Sequence, residues 1–444
     1  MGLLRRVHAC ALVVTLGGSR VATAEPTPDA QPALDAQPAL GAQPMPDAQP
    51  APDAQAPAAS PTELGPPGAL AAPTTGHDVS DTGTVLPPVE IHGFASQGFL
   101  FTTKNDYLAH TQRGSLEFSE AGINVSKSLG ERLRTGLQLF ARDLGPIGDF
   151  EVKLDWFYVD YRWRDWLGVR IGRVKLPFGL YNDTYDIDAA HTFALLPQAV
   201  YPATSREFLL AQSGGELYGY RDLGGLGALD YRFYGGTIFQ EVRSSPGSSI
   251  EVAELIVPYL AGGRLMWEPP VEQLRLGVTV QAQRVESELL VNLGPMSTRV
   301  DVDQSVVQWV ASLEYIRDDL MVAGEYGRWY TDLESSDPML HPNGSTTSER
   351  GYAMATYRVR PWLQPGAYYS IFYRDIAQRE GDDAKQHDMA ATLRFDLTPN
   401  WLLKLEGHYM RGTAALSSSL NGGVPRSELA PRWGLLAAKV TAYF

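Results

Sequence analysis

The 444-residue chain is 44% apolar and 10% aromatic, with 43 Gly, 31 Pro and 1 Cys. That is enough material for one large domain or two to three ordinary ones. Its 51 acids exceed its 37 bases, for a net charge of −14, so the basic surplus on which phosphate-backbone binders rely is missing and nucleic acid is not an expected partner. No stretch reaches the roughly 18 to 20 consecutive apolar residues of a membrane-spanning helix, which excludes a helical-bundle membrane protein.

Residues 1–24 have the layout of a secretory signal peptide: Arg5 and Arg6, an apolar core from Val7 to Leu16, then the small residues of Ala22-Thr23-Ala24. The single cysteine, Cys10, lies within this segment. The exported chain is therefore expected to lack disulfides, thiolate metal sites and cysteine nucleophiles. Residues 25–88 are rich in Ala and Pro and echo a hexapeptide at 29–34, 35–40, 41–46 and 47–52. Frequent proline removes backbone donors and holds the chain extended, so a disordered spacer reaching at most on the order of 200 Å is expected.

From Val89 the pattern has period two. Sixteen runs alternate apolar with polar or small residues, near 89–101, 115–127, 132–143, 150–162, 166–174, 213–222, 227–240, 259–268, 273–286, 305–316, 320–332, 350–360, 363–374, 386–398, 401–412 and 433–444. Their connections alternate short and long. The short ones fall at 128–131, 163–165, 223–226, 269–272, 317–319, 361–362 and 399–400, and the long ones surround Lys104, Leu144, Tyr185, Ser248, Gly294, Asn343, Asp382 and Leu420. This predicts an all-β fold over 89–444, a transmembrane antiparallel β-barrel of about sixteen strands with short periplasmic turns and long external loops in the outer-membrane bilayer. A soluble two-sheet protein also alternates, but its loop lengths need not sort by parity.

Alternation also assigns faces. Leu436, Ala438, Val440, Ala442 and Phe444 oppose Lys439, Thr441 and Tyr443. Val152, Leu154, Trp156 and Tyr158 oppose Glu151, Lys153 and Asp155. Leu274, Leu276, Val278 and Val280 oppose Arg275, Gly277, Thr279 and Gln281. The run 115–127 fits poorly, because Leu116 and Phe118 share a face with Glu120 and Asn124, which implies a bulge or a shifted boundary. Aromatics toward run ends, among them Phe99, Trp163, Trp329, Trp362, Trp401 and Trp433, are placed for interfacial belts. The terminal Phe444, preceded by alternating apolar residues, resembles the ending that outer-membrane barrels present to their assembly machinery.

Sixteen strands leave an aqueous lumen, where eight would be filled by side chains. Something is then expected to fold inward, and the longest connection, 175–212, is the candidate. It offers Arg173, Lys175, Asp183, Asp186, Asp188, His191, Arg206 and Glu207 as a channel constriction, with Pro177, Pro197 and Pro202 stiffening it. Within it, Gly172-Arg-Val-Lys-Leu-Pro-Phe-Gly-Leu180 resembles a motif of the phosphate-selective porin O and P family. That resemblance implies a trimeric sixteen-stranded channel narrowed by its third loop and lined by Arg and Lys for anions. The family's usual acid after the motif is Tyr181 here.

The inward face is expected to carry the bases Arg134, Arg142, Lys153, Arg170, Arg275, Arg394, Lys404 and Lys439, against the acids Glu151, Asp155, Glu325, Asp388 and Glu406. This reads as passive diffusion of small polar solutes or ions, with a weak anion preference. Pairing of each base with a neighbouring acid would instead leave no selectivity. No nucleophile elbow, zinc helix or phosphate loop is present, so neither catalysis, nor a metal, nor another cofactor is expected. A surface receptor or adhesin, or a barrel hydrolase using His408 or His92, is the alternative.

Overall fold

In the computed structural model, residues 88–239, 250–293 and 296–444 are described. The expected signal peptide, and the expected spacer apart from Pro88, lie outside them. Sixteen strands run in chain order: β1 (Glu90–Thr102), β2 (Ser119–Ser128), β3 (Leu133–Asp143), β4 (Lys153–Arg164), β5 (Leu167–Lys175), β6 (Ala211–Asp222), β7 (Ala228–Ile238), β8 (Ile250–Glu268), β9 (Leu274–Leu293), β10 (Met296–Arg317), β11 (Leu320–Ser335), β12 (Gly344–Tyr357), β13 (Leu363–Tyr373), β14 (Lys385–Thr398), β15 (Trp401–Gly412) and β16 (Arg432–Tyr443). Each pairs antiparallel with its sequence neighbours, and β1 pairs with β16 from Phe94↔Tyr443 to Thr102↔Leu435, closing the barrel. Closure leaves no edge whose N–H and C=O groups would meet hydrocarbon unpaired. No helix among the described residues is long and apolar enough to cross a membrane.

The alternation seen in the sequence becomes an outer apolar face and an inner polar one. Along β16, Leu436 is exposed on the outside while Lys439 and Thr441 are buried within. Along β9, Val278 and Val280 face out and Thr279 and Gln281 face in. The poor fit of 115–127 was a boundary: β2 starts at Ser119, and Phe118 is buried against the inner surface while Leu116 is exposed.

Three expectations are corrected. In β4 the register slips, so that Gln138 pairs with Trp156 and Leu139 with Leu154. This bulge at Asp155 turns Trp156 and Tyr158 onto the inner side, and Phe157, Val159, Tyr161 and Trp163 take the outer one. The connection at Gly294 is not a long loop. β9 and β10 stay paired up to Leu293↔Met296, because Leu289, Val291, Val300 and Val302 carry the inner apolar row onward into a cluster with Ile250, Val252, Leu333 and Leu340. Finally, Trp329 and Trp433 are buried inside the barrel and do not join the outer aromatic belts, whereas Trp163, Trp362 and Trp401 are exposed.

An arginine at the outer position Val280, midway along the apolar band, is expected to cost about 2–4 kcal/mol. Urea unfolding of the lipid-reconstituted barrel measures it, with the same substitution at the exposed loop residue Glu380 staying within about 0.5 kcal/mol.

Candidate functional site

The chain leaves β5 and turns into the lumen over residues 176–210, forming three short 3-10 turns and the four-residue helix α1 (Arg206–Leu209). The turn depends on Gly179, whose φ is +62°. A Cβ there would stand 2.5 Å from the Tyr201 hydroxyl and 2.6 Å from Glu325, so the loop approaches the wall closely only without a side chain. The Leu180 amide then donates to Glu325 Oε1 at 3.0 Å, and Ser312 and Tyr352 donate to the same carboxylate at 2.5 and 2.8 Å, joined by the Tyr201 hydroxyl. Glu325 is thus an anchor filled by neutral donors, not a free lumen charge.

Three aspartates carry the loop across the bore. Asp183 meets Arg232 of β7 at 2.7 Å and Arg264 of β8 at 3.0 Å. Asp186 meets Lys175 at 3.0 Å and Arg206 at 2.6 Å, and Arg206 continues to Asp155 of β4 at 2.9 Å. Asp188 meets Lys404 of β15 at 2.7 Å and Lys439 of β16 at 3.3 Å, and accepts from the Thr441 hydroxyl at 2.6 Å. Since β8 and β16 stand opposite one another in the ring, a segment of six residues, Asp183 to Asp188, is tied to both sides of the lumen. Backbone groups add further ties: Glu406 accepts from the Ala194 and Leu195 amides at 2.8 and 3.1 Å, Arg394 donates to the Ala189 carbonyl at 2.6 Å, and Arg350 donates to the Ala199 carbonyl at 2.9 Å. Phe178, Leu180, Phe193, Val200 and Tyr201 pack with Met266, Val310, Trp329, Tyr352 and Tyr368, so the apolar side of the loop covers the β8–β13 wall.

Of the eight expected constriction residues, Lys175, Asp183, Asp186, Asp188 and Arg206 therefore hold the loop in place and do not present free charge. Burial alone would raise the three aspartates, but the adjacent cations outweigh it and hold them below the ordinary carboxylate value. His191 is buried with Nε2 2.7 Å from the Thr184 carbonyl, and burial pushes its pKa down to about 4; it is a neutral brace at physiological pH. Glu207 is partly exposed, 4.0 Å from Arg206. Arg173 is in register with the outward Phe157, and its Nε donates to the Asp155 carbonyl at 2.7 Å.

The eight expected lumen bases are mostly paired. Arg134 meets Glu90 (2.7 Å), Lys153 Glu151 (3.6 Å), Arg170 Asp160 and Glu216 (2.8 and 2.9 Å), Arg275 Glu314 (2.8 Å), Arg394 Asp396 (2.8 Å) and Lys439 Glu120 (2.7 Å), with Lys404 on Asp188 as above. Arg142 differs: it is buried with both terminal nitrogens 3.3 Å from the Ala203 carbonyl, beside a cavity of about 30 Å³ that Glu120, His191 and Lys439 also line. Sequence reasoning missed Arg232, Arg264, Arg350, Glu120, Asp160 and Glu216. The same parity rule finds Arg232 between Tyr231 and Phe233, and Glu216 beside the outward Leu217. These residues complete a chain of alternating sign, Asp160–Arg170–Glu216–Arg232–Asp183–Arg264. His408 is held between Asp388 and Glu406 at 3.0 and 2.9 Å, which occupies both ring nitrogens, and His92 is exposed near the start of β1. No group of three or more potential metal ligands occurs among the described residues.

Replacing Asp188 by Asn leaves the fully buried Lys404 without its counter-ion and is expected to cost about 3–5 kcal/mol, measured by urea unfolding; adding Lys404→Met should recover part of it. The depressed aspartates also set a pH dependence. Carboxylates of lowered folded pKa stabilise above their ordinary value of 3.8 and lose that contribution as pH falls through the folded value. Loop docking, followed by protease cleavage within 176–210, should stay constant from pH 8 to about pH 5 and loosen only below the ordinary carboxylate range.

No protein-family model and no curated protein matches the sequence. In fold, the chain is similar to OmpT, an outer membrane protein of Vibrio cholerae, with TM-score 0.54 at 11% identity over 80% of this chain and 97% of that one. It is also similar to an anion-selective porin from Comamonas acidovorans, with TM-score 0.52 at 13% identity over 80% and 99%, and to a trimer form of the Vibrio cholerae OmpT, with TM-score 0.50 at 13% identity over 80% and 99%. These likenesses carry the closed porin-like barrel and do not reach the narrower phosphate-selective family.

Proposed function

We propose that the protein is an outer-membrane porin: a passive, non-catalytic diffusion pore for small hydrophilic solutes and ions. The observation that carries this reading is the inner loop, tied by buried ion pairs to opposite walls of a sixteen-stranded barrel. Such a loop narrows the bore as a fixed obstruction. Its apolar side lies on β8–β13, and on the other wall inward groups such as Arg134, Glu90, Arg170 and Asp160 keep partial contact with water. An aqueous passage along β2–β6 accounts for both facts.

Pairing of the lumen charges favours weak selectivity, and the anion preference suggested by counting bases shrinks accordingly. A phosphate filter built from Arg173, Lys175 and Arg206 is not favoured, because Lys175 and Arg206 are occupied by Asp186 and Asp155. Export through the N-terminal leader, recognition of Phe444 by barrel-assembly machinery, and assembly as a homotrimer complete the proposal. Phe444 is well placed for its role, being exposed on the outer face with its amide bonded to the Gly93 carbonyl at 3.0 Å.

In a planar bilayer the purified protein is expected to give open, ohmic channels with a reversal potential close to zero in a KCl gradient, shifted at most slightly toward anions. Sealed bilayers at high protein load remove the permeation reading. Arg206→Gln should increase open-channel noise more than it changes the reversal potential, because it frees the loop; a large shift toward cations with quiet currents would restore Arg206 to a filter.

A further inference from the structure

We infer that Trp156 and Tyr158, on the inner wall of β4, form a platform that binds neutral sugars in transit, so that short saccharides cross by a saturable step; this rests on the passage proposed above and names a solute class for it. Both side chains are half-buried on the lumen side of the β4 bulge. Their rings are nearly parallel, at 16°, with centroids 5.5 Å apart. Each reaches over Gly136 of β3, where a Cβ would stand 3.3 Å from either ring. Rings seated over a glycine lie along the wall, which leaves aromatic surface facing the water. Phe94 of β1 continues the surface upward, seated in the same way over Gly122, with 2.6 Å between its ring and a Cβ placed there.

The rings at either end of this platform are already covered, and the two in the middle are not. Below it, the Arg170 guanidinium lies 4.3 Å from the Tyr218 ring centre; above it, that of Arg206 lies 4.2 Å from Phe140. Arg170 stands off at 5.7 Å from Tyr158. An uncovered aromatic pair on a wall otherwise built of ion pairs has no task in seating the loop, whose contacts lie elsewhere.

The polar groups around the platform decide the solute. Ser126 and Glu90 share the inner row of Tyr158, and Asn124 and Gln138 share that of Trp156. One row below, Asp160 faces Arg170 and Arg134. The charges are matched: Arg134 meets Glu90 at 2.7 Å, Arg170 meets Asp160 and Glu216 at 2.8 and 2.9 Å, and Arg232 meets Glu216 and Asp183, both at 2.7 Å. Arg162, beside the Tyr218 hydroxyl, lies a further row down. The platform therefore offers donors and acceptors in equal measure and little net charge to hold an ion. A purely apolar solute would leave those groups unsatisfied. A sugar ring has C–H groups on its face for the aromatic surface and hydroxyls on its rim for the flanking carboxylates, amides and guanidinium groups, which is the combination that concave solute sites use.

The test is current block in a planar bilayer with the full-length protein. Maltotriose should interrupt the open-channel current saturably, whereas polyethylene glycol of the same size should lower conductance without saturation. The double variant Trp156→Ala, Tyr158→Ala should need on the order of tenfold more maltotriose for half-maximal block, while Trp156→Phe, Tyr158→Phe, which keeps both rings, should stay within about threefold of native. Heat-dependent gel mobility confirms an intact barrel in each, and Trp156→Leu, which fills the space without a ring, carries the same expectation if the alanine variant does not insert. Block by maltotriose no better than by the polymer, or unchanged block in a folded variant lacking the rings, overturns the inference. So does stronger block of native channels by tripolyphosphate than by maltotriose, which would make the wall an anion site. Open channels without saturable block sink the sugar platform alone; absence of any channel removes the permeation reading and the platform with it.

Discussion

Every feature of this molecule follows from the demand that backbone polar groups be hydrogen-bonded wherever hydrocarbon is the solvent. A strand ladder satisfies its members only between neighbours, so the sheet must return on itself, and the β1–β16 pairing does this. Closure at sixteen strands encloses a bore too wide for wall side chains to fill. The wall must then be apolar on one side and wettable on the other, which fixes the period-two sequence.

The 176–210 connection crosses the bore, and its placement is electrostatic at three aspartates. Asp183, Asp186 and Asp188 each face two cations, and these reach opposite sides of the ring. Removing such groups from water is expensive, and the cost is met only because every member is paired and hydrogen-bonded. The outcome is positional specificity: the loop has one seat. The charges that the sequence offers as a filter are largely consumed in seating it.

The strands were legible because alternation and turn residues are local properties. The lumen side was legible too, wherever parity held, as for Lys404 and Lys439. Parity failed at Asp155, where a bulge reversed Trp156 and Tyr158; the slip sits at the residue that pairs with Arg206, a partner distant in sequence. The Gly294 connection misled because glycine and proline there signal a loop, whereas the pairing of Leu289 through Val302 continues past them. Loop charges could be located but not interpreted, since an unpaired filter residue and a buried anchor have the same letter. The partners of Asp183 sit about 50 and 80 residues away in sequence, at Arg232 and Arg264, and only the barrel's order brings them together.

A cylinder that is oily without and watery within is tested most directly by labelling adjacent positions of β4 in vesicles. The sequence has one native cysteine, Cys10, well before the first strand; with Cys10 replaced by Ser, single cysteines report cleanly. Tyr158→Cys should react readily with a charged, membrane-impermeant maleimide while Val159→Cys is protected. Protection of 158 with labelling of 159, or equal labelling of both, would contradict a water-filled lumen bounded by this wall.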